Sequence, residues 1–331
     1  MTKLPFLWQV KKNGAVSYLL GTSHIKGGNP LTEELAKNLV TKARAMYVET
    51  PEDFKLQPRH FTLPNNQTIN DILNQDEIDS IHNFFRGHYE KFLYPNEIED
   101  ELKYRNRNKL WYLESEAVSL YYNDEKIEYL AAKKQMTDII KRFNLSMIPS
   151  SSLIIPSPSM QYIINVRSEA IAVLNKIKRY EEKQARFGKT PPTLDNALRT
   201  YAISKNIKVI GLDQPDEYSN IRDSISIATQ KELLFRTITK VNKKKLMADE
   251  EITAYKEGNL EAVLNALNPT DPIEKEHIDK ICYGRLALWY PKTQEDIKRG
   301  NVIIAVGIPQ FLTERGYIAR LQKDGYKIQR L

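Results

Sequence analysis

An apolar run that ends in glycine and then offers a polar side chain three residues later occurs twice, near opposite ends of this chain. The first is Ser17-Tyr-Leu-Leu-Gly21-Thr-Ser-His24 and the second is Val302-Ile-Ile-Ala-Val-Gly307-Ile-Pro-Gln310. Both runs are short and bounded by glycine, which suits a buried strand better than an amphipathic helix. A strand that stops at a glycine needs either positive φ there or the close approach of another backbone. Two such strands in one sheet would place His24 and Gln310 on a shared edge, and the first and last thirds of the chain would have to fold together. An imidazole at the first position can bind a metal or move a proton. The glutamine at the second cannot titrate and ligates weakly, through its carbonyl.

The elements between these runs fit the same sheet. Residues 6–10 and 15–21 flank Lys-Lys-Asn13-Gly14, and Asn-Gly tolerates positive φ at both centres of a tight turn, so the chain opens with a β-hairpin. A helix is expected from a Thr32 cap through Leu35, Leu39 and Ala43, followed by a strand over Ala45-Met-Tyr-Val ending at Glu49. That strand, helix and strand make a parallel crossover, and open α/β sheets build their sites at the carboxyl ends of such strands. Residues 207–213 read as a strand finishing at Asp213, after a helix capped by Thr193 and stopped at Asn206. A helix carries Arg285 and Trp289 into the strand that ends at Gly307. A further helix from about Thr313 to Lys323 and a strand from Tyr326 to Leu331 close the chain.

The fold class is therefore α/β, with a mixed, largely parallel sheet, flanking helices and a large helical insertion. Residues 1–50 and 193–331 form the core that carries the site. Residues 51–192 form the insertion, with amphipathic runs at 69–92, 114–144 and 160–187. Its interruption at 149–159 holds three prolines and five serines, too many breakers for a helix interior, and reads as a loop or lid.

Composition narrows the function classes. Among 331 residues, 41% are hydrophobic and 27% charged, and no run approaches the roughly 20 apolar residues of a bilayer span. The start lacks the apolar core of a signal peptide, so the protein is expected in the cytoplasm or secreted without a recognisable leader. Lysine, asparagine and isoleucine usage points to an AT-rich microbial genome, and a secreted bacterial effector fits that. The single cysteine, Cys282, excludes an internal disulfide. Net charge is +7, but the lysines are scattered and the densest cluster, Lys240 to Lys245, suits a solvated helix face, so no nucleic-acid partner is expected. No Gly-x-Gly-x-x-Gly, Walker loop or Gly-x-Ser-x-Gly elbow is present.

Four polar residues thus end four separate strands: His24, Glu49, Asp213 and Gln310. Singly, each has an ordinary explanation as a cap, a satisfied buried group or a strand terminus. Of the other histidines, His60 is expected in a loop, His82 and His88 are six apart on a helix and face different ways, and His277 lies in an acidic helical stretch.

Leu7-Trp8 followed by Ser17 to His24 resembles the opening of the TraB/GumN family, which includes the Tiki proteases that cleave Wnt proteins. The resemblance continues through Leu63-Pro-Asn-Asn-Gln-Thr-Ile-Asn-Asp-Ile-Leu, Leu194-Asp195, Val209 to Asp213, Ala254-Tyr255 with Gly258-Asn259-Leu260, the Arg285 to Trp289 spacing, and Ala305 through Tyr326. It is weakest over 114–190. It implies that His24 and Glu49 are metal ligands or acid/base groups, and that Arg285 is a supporting or substrate-contacting cation. Trp289 reads as core packing. Two departures stand out: Gln310 occupies the place of the family's second motif histidine, and Asp213 stands where glutamate is common.

A neutral amide oxygen is a poorer donor than imidazole nitrogen for a borderline metal. The implied function is a metal-dependent hydrolase of the peptidase kind, acting on a peptide or protein with a divalent ion of unspecified identity. His24, Glu49 and Gln310 would be the ligands, His24, Glu49, Asp213 and Arg285 the catalytic groups, and Gly21 and Gly307 the motif glycines. The alternative is a catalytically silent protein of the same fold that recognises a peptide or protein partner.

Overall fold

The computed structural model describes residues 6–22, 30–51, 53–122, 124–146, 160–187, 194–239, 253–266 and 269–331. His24, the 149–159 loop, the Thr193 cap and the Lys240–Lys245 cluster lie outside the described residues. The chain divides into two compact units, one of residues 1–62 with 191–331 and the other of residues 63–190.

The first unit is built on six strands: β1 (Leu7–Lys12), β2 (Ala15–Thr22), β3 (Ala45–Val48), β4 (Lys208–Gly211), β5 (Val302–Gly307) and β6 (Lys327–Arg330). Their order is β4-β3-β5-β2-β1-β6. The β4-β3, β3-β5 and β5-β2 pairings are parallel, whereas β1 runs antiparallel to both β2 and β6. The hairpin forms at Asn13-Gly14 with φ of 50° and 82°, the positive pair that a tight turn of matching twist requires. At the centre of the sheet, β5 is buried at all six positions and β3 at all four, so both faces are covered. The core gathers Leu19, Leu20, Met46, Ile303 and Ile304 from the strands with Leu198, Leu286 and Trp289 from helices. Full burial of each large aliphatic side chain contributes about 1.5–3 kcal/mol.

Helix boundaries depart from the sequence reading at four places. The first helix runs Pro30–Val40, so Thr32 lies inside it as a fully buried residue and is not its cap. Proline, whose missing N–H costs nothing at a helix start, takes the first position instead. Residues 252–264 read from sequence as one helix, but Gly258 interrupts it at φ 64° and a separate helix runs Leu260–Ala266. His60 belongs to a short helix, Pro58–Phe61, and not to a loop. The last helix is Tyr317–Lys323; Thr313 precedes it in the left-handed region at φ 66°. Asn206 does stop its helix, Leu194–Ser204, at φ 56°.

The second unit is helical among its described residues, with helices Gln75–Tyr89, Pro95–Arg105, Leu110–Tyr122, Asp124–Ser146 and Met160–Phe187. The last two share a seam of Ala132, Ile139, Val166 and Val173. His82 bonds Asn106 through Nε2, and Nδ1 of His88 bonds the Phe84 carbonyl. No described helix is long and apolar enough to cross a membrane.

Candidate functional site

Strand register lines up the polar ends. Thr22 pairs with Gly307 across β2 and β5, Val48 pairs with Ala305 across β3 and β5, and Val48 pairs with Gly211 across β3 and β4. The pairing of β3 and β4 extends past the strands, where the Asp213 N–H donates to the Glu49 carbonyl at 2.8 Å. Gly211 is glycine for lack of room, because a Cβ there would sit 2.4 Å from Pro51. Glu49, Asp213 and Gln310 are all buried, at 5%, 3% and 4% exposure.

A single arginine knits two of them together. Arg285, itself buried, donates from Nη2 to Glu49 Oε2 at 2.7 Å and to Asp213 Oδ2, and from Nε to Asp213 Oδ1 at 3.2 Å. Its guanidinium carbon lies 4.4 Å from the centroid of the Trp289 ring, one helical turn along, and 5.7 Å from that of Tyr218. Burial works against the arginine's charge, but the carboxylates of Glu49 and Asp213 outweigh it, and its pKa is raised. For Asp213 the balance tips the other way: burial raises its carboxyl pKa by more than Arg285 and the Trp289 N–H lower it, and Glu49 adds to the rise. Trp289 is the core residue expected and also a polar anchor, since its Nε1–H donates to Asp213 Oδ1 at 3.1 Å.

The two motif glycines are there for space. Neither has positive φ; Gly307 sits at φ −51°, ψ 141°. A Cβ on Gly21 would meet Ile308 at 2.7 Å and Phe6 at 3.0 Å. A Cβ on Gly307 would meet Gln310 Oε1 at 2.7 Å and Glu49 Oε1 at 3.0 Å. The bare Gly307 N–H donates to that Glu49 oxygen at 2.6 Å, while Gln310 Oε1 is buried with no hydrogen-bond partner. Thr22 Oγ1, on the strand beside Gly307, is likewise buried and unpartnered. Oxygen acceptors of Glu49 and Gln310 therefore converge above a glycine, with only one of them served by a donor. Among the described residues no group of three or more His, Cys, Asp or Glu side chains is placed to hold a metal ion.

The structure thus brings together Glu49, Asp213, Arg285, Gln310 and Gly307. Gly21 lies at the end of the next strand over, and His24 falls outside the described residues. It also adds groups that the sequence reading did not assign. Tyr255, stacked on Phe6 at 5.3 Å, donates its hydroxyl to the Gly21 carbonyl at 3.1 Å and so holds the end of β2. Lys292 ties the segment after β4 by donating to the Leu212 carbonyl at 3.1 Å and to Glu217 at 2.6 Å. His60 accepts from the Gln57 N–H at Nδ1, which leaves its proton on Nε2 for Asp216, 2.8 Å away, in the helix that follows Asp213. Each of these contacts joins residues distant in sequence or turns on a tautomer, and only the Tyr255-to-Gly258 pattern gave any local hint.

No curated protein and no solved structure matches the chain. The family model described as TraB/PrgY/gumN matches residues 6–330, and with that match spanning the sheet, the helical unit and every site residue above, the chain belongs to the TraB/PrgY/gumN family.

Proposed function

We propose that this protein is a metal-dependent hydrolase of the peptidase kind, with its ion held by His24, Glu49 and Gln310. The observation that carries the reading is the buried, unpartnered Gln310 Oε1 facing the same space over Gly307 as Glu49 Oε1. Two oxygens converging there repel each other unless a cation or donor lies between them. The donor types suit a divalent ion: the Glu49 carboxylate, the Gln310 amide carbonyl and the Thr22 hydroxyl, with an imidazole supplied by His24. Such an ion, when bound, would supply Lewis acidity toward a peptide carbonyl and toward water.

The chain's own residues do the positioning. Arg285 fixes the Glu49 carboxylate at Oε2 and the Gly307 N–H fixes it at Oε1, so the carboxylate keeps one orientation. Asp213 holds Arg285 in turn and is itself held by the Trp289 N–H, whose ring lies against the guanidinium. His24 and Asp213 are the candidates for holding and passing a proton, His24 as an imidazole and Asp213 by its raised carboxyl.

Isothermal titration of the wild type with Zn²⁺ and with Mn²⁺, repeated on His24→Ala, tests the reading. One site per chain, weakened at least tenfold in the variant, is expected. A wild type that binds neither ion rules it out.

One observation favours a second reading, a silent binding protein of the same fold. Glu49 already has both oxygens engaged by Arg285 and Gly307, and Gln310 supplies no imidazole. Gln310→His separates the two: a variant that gains metal affinity over a parent with neither affinity nor peptidase activity supports the silent protein.

A further inference from the structure

The turn that carries Gln310 is held in a conformation its own sequence disfavours. After β5 the chain makes a short 3₁₀ turn, Ile308–Gln310, and then doubles back so tightly that a Cβ on Gly316 would lie 2.2 Å from the Leu312 carbonyl oxygen. Between them Thr313 adopts φ 66°. A β-branched residue in the left-handed region is strained, and such strain persists only where surrounding contacts impose it.

The contacts come from the segment that leads into Arg285. Residues Asp279–Gly284 form a π-helical turn, which inserts an extra residue into the helix and so shifts which side chains face which neighbour. Tyr283, on that turn, has its hydroxyl 2.7 Å from Thr313 Oγ1. Arg315, two residues past Thr313, stacks over the Tyr283 ring at 4.5 Å and pairs with Asp279 at the start of the same turn. Arg285 follows Tyr283 by two residues, and Gln310 precedes Thr313 by three.

We propose that Tyr283 is a positioning residue whose hydroxyl, bonded to Thr313, holds the Gln310-bearing turn in register with the Arg285-bearing helix. This rests on the reading of Gln310 and Arg285 as members of one functional site. The tie opposes the strain at Thr313: with the hydroxyl gone, a β-branched residue at this position draws the turn toward negative φ and carries the Gln310 carbonyl away from Glu49. Glycine at 313 has no such preference, so a turn built on it stays in place without the tie. The tie lines a cavity of about 260 Å³ together with Ile278 and Lys275, so a phenyl ring at 283 loses its hydroxyl without leaving a void in the core.

Amide hydrogen exchange tests this on wild type, Tyr283→Phe, Thr313→Gly and the double variant. The reporters are the N–H groups of Phe311 and Ile318, which bond the Ile308 and Phe311 carbonyls. Tyr283→Phe should speed their exchange at least tenfold, and Thr313→Gly in the same chain should return it to within threefold of wild type. Exchange in Tyr283→Phe within twofold of wild type, or no rescue by glycine, overturns the proposal. A purely structural role for the tyrosine would show no rescue. Mn²⁺ titration of the same four proteins separates this from the functional reading. If wild type binds, affinity should fall at least fivefold in Tyr283→Phe and recover in the double variant, and a uniform affinity overturns the proposal. If wild type does not bind while the exchange pattern holds, the metal reading fails and the positioning role stands.

Discussion

Replacing Arg285 by methionine keeps most of the side chain's volume and removes the guanidinium that faces Glu49 and Asp213. Both carboxylates are at most 5% exposed, so neither can turn to bulk water once the cation is gone. Breaking a buried ion pair by deleting one partner costs about 3–5 kcal/mol, because the remaining charge stays buried and uncompensated. For a folded unit of this size each kcal/mol shifts the melting temperature by about 2–4 °C, so a fall of about 6–20 °C is expected at pH 7. The deficit should depend on pH in a fixed direction. Burial already holds the Asp213 carboxyl above its ordinary 3.8, and losing Arg285, which opposes that rise, lifts it further. A carboxyl with a raised folded-state pKa contributes stability that is present below its unfolded value and lost as pH rises through the folded one. The variant should therefore lie closest to wild type near pH 4 and furthest from it at pH 7. Urea unfolding followed by circular dichroism at both pH values measures this. A loss below about 1 kcal/mol at pH 7, or an equal loss at both, would show that the two carboxylates do not depend on Arg285. The triple variant Arg285→Met, Glu49→Gln, Asp213→Asn should recover most of the stability, since a neutral buried set no longer carries stranded charge.

Gly307→Ala should destabilise by about 1–3 kcal/mol, because its methyl group would lie 2.7 Å from Gln310 Oε1 and 3.0 Å from Glu49 Oε1 and force one of them aside; an unchanged thermal melt would mean that the space above this glycine is not as tight as drawn. A second pH effect has the opposite sign to that of Asp213. The Tyr47 hydroxyl and then Arg44 hold the Asp296 carboxyl below its usual range, while burial and then Asp296 push the Tyr47 phenol up to about 12. A lowered folded-state pKa gives stability that is present above the unfolded value and lost as pH falls through the folded one. The gap in unfolding free energy between wild type and Asp296→Asn should accordingly shrink from pH 6 to pH 3, and a constant gap would refute the assignment.

What the sequence made legible were the features decided by residues close together in the chain. Asn13-Gly14 dictates the hairpin because few residues tolerate its two positive φ angles, and Asn206 ends its helix for the same reason. The strands of the central sheet announce themselves as short apolar runs, and once they are taken as parallel neighbours, Glu49 and Asp213 must fall on one edge. Helix starts were less legible. Thr32 has the chemistry of a cap but loses to Pro30, and Thr313 has it too but is pulled into the left-handed region by a tyrosine thirty residues earlier. In the site, the residue list could be drawn up from strand ends, yet the bonding could not. Nothing local in Trp289 indicates that its N–H would meet Asp213, 76 positions away, or in Tyr255 that its hydroxyl would hold Gly21.

Arg285 is the residue whose bonding the geometry specifies most fully. As a substrate-contacting cation it would need exposed donors and freedom to move, but its Nε and Nη2 are committed to Glu49 and Asp213, and its plane lies against Trp289. An arginine so held acts through its neighbours: it sets the direction of the Glu49 carboxylate and offsets part of the negative charge at that strand end. Its presence alters what any incoming cation meets. With both carboxylates ionised the triad carries one net negative charge instead of two, so the attraction for a divalent ion is reduced, and more of the binding must come from neutral donors. Gln310 is the neutral donor that the chain places there. The substitution that weakens the metal reading on donor strength is thus also the one that leaves an unsatisfied oxygen aimed at the same point, and the choice between hydrolase and silent relative turns on whether that oxygen finds an ion.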